Sequence, residues 1–275
     1  VRAFRHGRGR ALSIASLGFA SGEAAFPAAA VAALAWADWR MVWVAGGAVL
    51  ILCVIPSVWW ILAGGHAAGG EIDAGAPAPT DRQWDRRAVR ADPSFYLLLL
   101  VLLAPSFFIT GFFFHQAAVA AEKGWSLKSV AAAFSVYALT KIAVSLGAGA
   151  GVDRFGALRC AILVTPTLAL AYVVLGVGEA EVTVFAYMML TAAAHGISVP
   201  VSSALWVEVY GVTHAGAIRS MVAAFGVFAS ALSPVAMGLL IDLHVGAGTI
   251  AFGSAAYCAA AAVLMWGLAE RLRTR

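Results

Sequence analysis

The stretch SVAAAFSVYALTKIAVSLGAGAGVDRFGALR, residues 129–159, decides how the rest of the chain is interpreted. It predicts one long apolar helix that is interrupted by a single cation, Lys141, and closed by a charged, glycine-punctuated loop. An ammonium group among oily side chains is costly, whereas a charged loop is what a helix leaving a membrane requires. The stretch therefore raises two questions: whether the chain spans a membrane, and what Lys141 does inside it.

The composition answers the first question. Hydrophobic residues make up 62% of the 275 residues, and charged residues only 12%. Soluble domains carry about a quarter charged residues, and apolar runs longer than about 18 residues are candidates for crossing a bilayer. We therefore predict an integral membrane protein. Its net charge of +4 comes from basic residues between the apolar runs, which is typical of cytoplasmic loops, so no nucleic-acid partner is expected.

The apolar runs predict an all-α, polytopic bundle of transmembrane helices, because backbone polar groups in lipid must be paired within the chain. Most of the lysines and arginines fall on one predicted side of the membrane, which the positive-inside rule assigns to the cytoplasm together with both termini. The eight predicted spans cover roughly residues 10–35, 40–63, 95–118, 127–151, 159–177, 182–207, 217–241 and 247–269.

A polar linker divides these spans unequally. Residues 64–93 contain Gly-Gly pairs, an Ala-Pro repeat and a mixed-charge run, a composition typical of a solvent-exposed connection. We interpret residues 1–63 as the end of one domain, 64–93 as a cytoplasmic linker, and 94–275 as a second domain of six helices. Gly9 and Pro27 have the same spacing as Gly216 and Pro234, which favours a six-helix repeat.

Several motifs resemble the major facilitator superfamily of transporters. The loop residues Gly149, Asp153, Arg154, Gly156 and Arg159 look like the cytoplasmic loop motif of that family. The first helix, with Phe26-Pro27, resembles the family's fifth helix, although phenylalanine stands where glycine is usual. Residues 113–116 and 210–220 resemble the bacterial branch near the monocarboxylate and oxalate/formate carriers.

The resemblance implies that the eight spans correspond to helices five to twelve of a twelve-helix carrier in the bacterial inner membrane. The four missing helices, expected before Val1, would then be a partner of this chain, and residues 1–275 alone would not transport. In the family, the loop motif latches the cytoplasmic face in one conformation. A conformational-gating role for this loop is therefore implied here, and a solvated loop is the alternative.

Lys141 and Glu23 are the ionisable residues deepest in the predicted spans. Lys141 lies roughly 12 Å, and Glu23 about 20 Å, from the same membrane face at 1.5 Å per residue. In the family fold the two helices that carry them are neighbours across the domain interface. We expect an ion pair lining a central cavity, where a monocarboxylate would compete for Lys141. A static pair, or a lysine whose stem reaches a boundary, remains the alternative.

Three further polar residues are candidate substrate or coupling groups. His115 and Gln116 lie near the outer end of the third span; His115 could bind substrate, move a proton, or hydrogen-bond at the interface. His195 lies nearer the middle of the sixth span, where packing is the alternative to function. Glu208 and Asp242 lie at helix ends, where capping suffices to explain them.

The motif search separates three classes of function. The chain contains no P-loop and no serine- or zinc-protease signature, so we predict that it is not an enzyme. Its three cysteines lack paired spacing, and neither a metal site nor a cofactor is expected. The leading prediction is a secondary transporter of a small organic solute, such as a monocarboxylate, by alternating access. A non-transporting membrane sensor or partner protein is the alternative.

Overall fold

The structure is a computed structural model that describes residues 22, 25–63, 84–211 and 213–273. Regular structure within these ranges is entirely helical. The chain divides into two compact units, residues 1–78 and 79–275, called here the N-terminal and C-terminal units.

The N-terminal unit contains three described α-helices. They are α1 (Ala25–Leu34), α2 (Trp39–Val49) and α3 (Ile55–Ala63), and a π-helical turn, Leu50–Val54, joins α2 to α3. Asp38 caps α2 by accepting a hydrogen bond from the Arg40 N–H. The π-turn precedes Pro56, which has no N–H to donate to the carbonyl one turn earlier. The helical path from α2 to α3 therefore shifts its hydrogen-bond register but is not broken.

The C-terminal unit contains ten α-helices in its described residues. They are α4 (Arg86–Ala91), α5 (Pro93–Leu102), α6 (Ala104–Phe114), α7 (Gln116–Lys123), α8 (Leu127–Phe155), α9 (Ala157–Ala161), α10 (Val164–Val177), α11 (Thr183–Tyr210), α12 (Ala215–Asp242) and α13 (Ala247–Arg273).

Seven of the described helical segments are long and apolar enough to cross a membrane. One is in the N-terminal unit, Trp39–Trp60. The six in the C-terminal unit, in order, are Pro93–Phe114, Leu127–Phe155, Ala157–Val177, Thr183–Tyr210, Ala215–Asp242 and Ala247–Arg273. The prediction of an all-helical polytopic bundle is thus confirmed. The first predicted span, 10–35, lies largely outside the described residues, which show only the short apolar helix Ala25–Leu34 of it.

The six spans of the C-terminal unit pair in a pattern with two-fold character. The first packs against the fifth (α6 on α12) and the second against the fourth (α8 on α11). The third packs on the fourth, the sixth on the first, and the third on the sixth. Exchanging the first three spans for the last three leaves this set of pairs unchanged. Since three is odd, the two triplets cross the membrane in opposite directions, as in an inverted repeat.

Two matching helix caps occur, one at each end of the unit. Exchanging the first three spans for the last three converts one cap into the other. The Ala157 N–H, at the start of α9, donates to Oε2 of Glu208 near the end of α11, at 2.6 Å. The Ala247 N–H, at the start of α13, donates to both carboxylate oxygens of Glu122 near the end of α7, at 2.8 and 2.9 Å. Each carboxylate satisfies an N–H that the helix itself leaves unpaired, and interacts favourably with the helix dipole.

A glycine precedes each capped alanine and makes room for the carboxylate. A Cβ on Gly156 would lie 3.1 Å from Glu208 Oε1, and one on Gly246 would lie 3.0 Å from Glu122 Oε1. Gly156 also has a φ of 86°, which side chains rarely adopt. At both Gly-Ala pairs, the glycine therefore allows a glutamate carboxylate to approach the start of the following helix closely.

Removing the Glu208 carboxylate should destabilise the C-terminal unit. We expect Glu208→Ala to cost about 1–2 kcal/mol, the usual range for losing a helix cap, because the Ala157 N–H then lacks its acceptor. Thermal unfolding of the purified protein in detergent measures this. Asp153→Asn, which alters an exposed carboxylate near the same end, is the matched control. Equal melting temperatures for the two variants would contradict the assignment of Glu208 as a cap.

Polar contacts also tie together the opposite end of the unit. Lys123 Nζ lies 2.6 Å from Glu179 Oε1, and the Trp125 ring N–H donates to the Glu179 carbonyl. The Ser126 N–H donates to Glu181 at 2.9 Å. These bonds hold the start of α8 against the short connection between α10 and α11.

Acid should weaken the contact of Glu181. Hydrogen bonds from the Ser126 hydroxyl, the Ser126 N–H and the Ser129 hydroxyl lower the pKa of Glu181 below its ordinary 4.5. Since the folded-state pKa is the lower one, this stabilisation is present above pH 4.5 and is lost as the pH falls through the folded-state pKa. Denaturation between pH 6 and pH 3 should therefore show a weaker acid dependence for Glu181→Gln than for the wild type. Parallel curves would count against the contact.

Candidate functional site

Lys141 lies inside the C-terminal unit rather than at a boundary. It is in the middle of α8 and is only 9% exposed. Its ammonium nitrogen lies 5.8 Å from the centre of the Tyr137 ring, one helical turn earlier. A cation over the face of an aromatic ring is attracted by the ring quadrupole. The aromatic face therefore supports the charge at a depth where water is scarce.

Tyr137 links Lys141 to His195 on the facing helix α11. The Tyr137 hydroxyl oxygen and His195 Nδ1 are 2.5 Å apart, a short hydrogen-bonding distance. The bond fixes the orientation of the imidazole ring and occupies Nδ1. The second ring nitrogen of His195 then remains as its means of contacting a ligand. We call the buried residues Lys141 and Tyr137, together with the half-buried His195, the buried triad.

A close crossing of α8 and α11 holds the buried triad together. A Cβ added to Gly196 would lie 2.9 Å from the Lys141 carbonyl oxygen and 3.1 Å from Cβ of Val144. The two backbones are therefore nearly in contact next to His195. Small residues permit such an approach between membrane helices. The crossing places Lys141 and His195 at the same depth in the membrane.

His195 also lines a cavity of about 220 Å³, which we call the hydroxyl cavity. Among the described residues, its wall combines apolar residues of α5 and α6 with hydroxyl groups of α6, α11 and α12, and none of these lining residues carries a carboxylate. The hydroxyl-bearing lining residues are Ser106, Thr110, Ser198, Ser202 and Ser230.

The proline in α12 leaves the carbonyl of a cavity-lining residue without its usual helical donor. Pro234 lies inside α12 and cannot donate to the carbonyl of Ser230, one turn earlier. Ser198, in contrast, uses its hydroxyl to donate to the His195 carbonyl at 2.8 Å. A neutral wall of hydroxyl donors and acceptors beside a buried cation fits a small polar anion better than a cation.

Neither His115 nor Gln116 lines the hydroxyl cavity. His115 caps the end of α6, and its Nε2 lies 2.9 Å from the Pro234 carbonyl oxygen on α12. It lies against Gly238, where an added Cβ would be 3.5 Å from the ring. Gln116 is 4% exposed, and within the described residues neither of its amide atoms has a hydrogen-bond partner.

The expected partner of Lys141 falls outside what the structure describes. Glu23 is not among the described residues, so the predicted ion pair with Lys141 stays a prediction.

The predicted gating loop forms the junction between α8 and α9. Asp153, Arg154 and Arg159 are exposed, and the Arg154 guanidinium lies 5.3 Å from the centre of the Phe155 ring. No described atom lies within 4 Å of the position that a Cβ on Gly149 would take, and at Gly151 the nearest is Cys160 Sγ at 3.6 Å. The close contact is instead at Gly156, against Glu208.

Sequence reasoning missed Tyr137 and the hydroxyl-bearing wall. Tyr137 is four residues before Lys141, and Ser106 and Thr110, like Ser198 and Ser202, are four apart. That spacing puts each pair on one helix face. The four-residue spacing was visible in the sequence, but these pairs did not stand out because their spans contain many other small residues.

The described residues contain no cluster of histidine, cysteine, aspartate or glutamate that could hold a metal ion. Fold and site together define a polytopic α-helical membrane protein with a buried cationic triad beside a small polar cavity. No protein family, curated protein or solved structure matches the chain.

Proposed function

We propose that the chain belongs to a secondary transporter for a small organic anion, of which a monocarboxylate is the simplest example. The observation that carries this proposal is Lys141, a buried cation linked through Tyr137 to a histidine that lines the hydroxyl cavity. Ionisable residues inside a membrane are expensive and mark substrate or ion pathways. A carboxylate entering the cavity would meet a positive potential and hydroxyl donors together.

The arrangement of helices supports transport by alternating access. Transporters with this mechanism place the binding site between repeats and rock one repeat against the other. The C-terminal unit has the pairing expected of two inverted triplets of helices, and His195 and Ser230, from the second triplet, face Ser106 and Thr110 from the first across the cavity. The proposed membership in the major facilitator superfamily rests on this pairing and on the loop motif.

A specific contact supports the proposed gating role of the loop between α8 and α9. In a carrier that alternates, the junction of α8 and α9 must either hold or release neighbouring helices. Glu208 joins this junction to α11 through a hydrogen bond from the Ala157 N–H, and breaking this bond would release the junction from α11. The remaining parts of the proposal are a bacterial inner-membrane location, which rests on the resemblance to bacterial carriers, and cytoplasmic termini, which rest on the placement of the lysines and arginines.

The cavity volume limits the size of the solute. Since water occupies about 30 Å³ per molecule in the liquid, 220 Å³ corresponds to roughly seven non-hydrogen atoms. The solute should therefore be a monocarboxylate of about three or four carbons. Longer aliphatic acids would need the apolar wall of α5 and α6 to move.

Counterflow of labelled monocarboxylates in proteoliposomes tests the proposal. The protein should be reconstituted with any residues that precede Val1 in its reading frame. We expect uptake to fall sharply between four-carbon and eight-carbon acids. Ser202→Leu, which fills the cavity, should shift this limit toward shorter acids, whereas Ser220→Ala, on a serine of α12 that does not line the cavity, should not.

The alternative is a membrane sensor or partner protein that does not transport. A sensor would bind the acid, as followed by equilibrium dialysis, but would show no counterflow. That result, or the absence of both binding and counterflow for every acid, would overturn the proposed function.

A further inference from the structure

A second concave surface lies on the side of the C-terminal unit, away from the hydroxyl cavity. It is a groove of about 550 Å³ between the α4–α5 segment and α12, and it shares no lining residue with the cavity. Apart from Arg90, every residue that lines it is apolar or aromatic. Phe95 forms its fully buried floor, while Phe225 and Phe228 on α12 are 40% and 68% exposed. We call it the lateral groove.

The depth of the lateral groove matches one leaflet of a bilayer. Arg90 is in α4, immediately before the first span of the unit, and therefore lies at the membrane boundary. Phe228 is about 13 residues into α12, or about 20 Å at 1.5 Å per residue. Half of a hydrocarbon core is about 15 Å thick. The groove thus runs from the headgroup level to the middle of the membrane.

The upper end of the lateral groove is cationic. Arg90 is exposed, and in the part of the chain that the structure describes no acidic residue lines the groove. Arg86, one turn earlier, donates to the Ala217 carbonyl and fixes α4 against the start of α12. Tyr96 donates its hydroxyl to the Arg90 backbone carbonyl, which places a tyrosine at the level where tyrosines concentrate in membrane proteins.

We propose that the lateral groove is a binding site for an anionic phospholipid. The phosphate contacts the Arg90 guanidinium, which can donate two parallel hydrogen bonds to it. One acyl chain lies along Phe225 and Phe228 over the floor formed by Phe95. The charge at the boundary, the apolar lining below it and the length of the groove each match one part of such a lipid, and basic pockets between membrane helices are known to select anionic headgroups.

Native mass spectrometry of the full chain in detergent tests this site. The probes are dioleoyl phosphatidylglycerol, which is anionic, and dioleoyl phosphatidylcholine, which is zwitterionic with the same chains. We expect the wild type to retain phosphatidylglycerol preferentially. Arg90→Gln should weaken that retention about tenfold, since a hydrogen bond to a charged group contributes about 1.5–3 kcal/mol. Arg273→Gln, an exposed arginine at the same end of the unit, should retain the lipid like the wild type.

A second variant separates the acyl chain from the headgroup. Ala224 lines the groove, and Ala224→Phe should fill it and abolish retention while leaving Arg90 intact. Circular dichroism and gel filtration confirm that each variant is folded. The proposal is overturned if both lipids are retained equally, if Arg90→Gln or Ala224→Phe binds like the wild type, if inorganic phosphate displaces the lipid, or if a second copy of the chain occupies the groove.

Discussion

Replacing Lys141 by alanine should reduce transport of a monocarboxylate about 30-fold or more. Truncating one partner of a buried charge interaction costs about 2–5 kcal/mol, and each 1.4 kcal/mol is a factor of ten in affinity. Lys141 is 9% exposed and lies over the Tyr137 ring, so little water is available to take over its role. Initial rates of counterflow measure the loss.

Two controls make the result on Lys141 specific. Lys128→Ala removes an exposed lysine of the same helix and should leave the rate unchanged. Lys141→Arg keeps the charge but changes the shape of the donor, so it should retain part of the activity. Wild-type counterflow by Lys141→Ala would show that the lysine has no substrate or coupling role, and the proposed mechanism would fail with it.

Replacing Gly196 should have the largest effect on stability. Its added Cβ would lie 2.9 Å from the Lys141 carbonyl oxygen, which belongs to the backbone of α8 and cannot rotate away. Overpacking of this kind costs about 1–3 kcal/mol. We therefore expect Gly196→Ala to lower the melting temperature in detergent, and Gly196→Leu to lower it further. Because the crossing positions His195, both variants should also lose transport.

Gly149→Ala is the matched control, since it makes the same substitution in α8 where no atom lies within 4 Å of the new Cβ. Alanine is favoured over glycine in a helix by about 1 kcal/mol, so this variant should be equally or more stable. A loss of stability in Gly196→Ala together with no loss in Gly149→Ala would identify the helix crossing as the cause. If both substitutions stabilise the protein, α8 and α11 do not approach each other as closely as described.

The sequence alone was sufficient to predict the class of protein. Its apolar runs and low charge predicted a helical membrane bundle, because hydrophobic length and backbone pairing leave few alternatives in lipid. The same reasoning placed Lys141 deep in a span and Glu208 at a helix end. The sequence predicted interruptions within a span less well. The third predicted span, 95–118, is divided near Pro105 and again at His115.

The tertiary structure decided what surrounds these residues. Hydropathy is a property of one segment, and it does not say which face of a helix meets which neighbour. Only the packing of α8 on α11 brings Tyr137 to His195, and only the close approach at Gly196 explains why that glycine is there. The Gly-Ala pairs at 156–157 and 246–247 are similarly inconspicuous until the carboxylates of Glu208 and Glu122 meet them.

The physical reason for this division is the range of the interactions. Partition into a bilayer depends on the summed hydrophobicity of about 20 consecutive residues, so a sequence read locally contains it. A hydrogen bond or a close backbone contact depends on positions within a few tenths of an ångström, between residues that are 50 or more apart in the chain, as Tyr137 and His195 are. The amino-acid sequence by itself therefore determined that the chain enters a membrane. The tertiary structure determined which of its polar groups contact each other there.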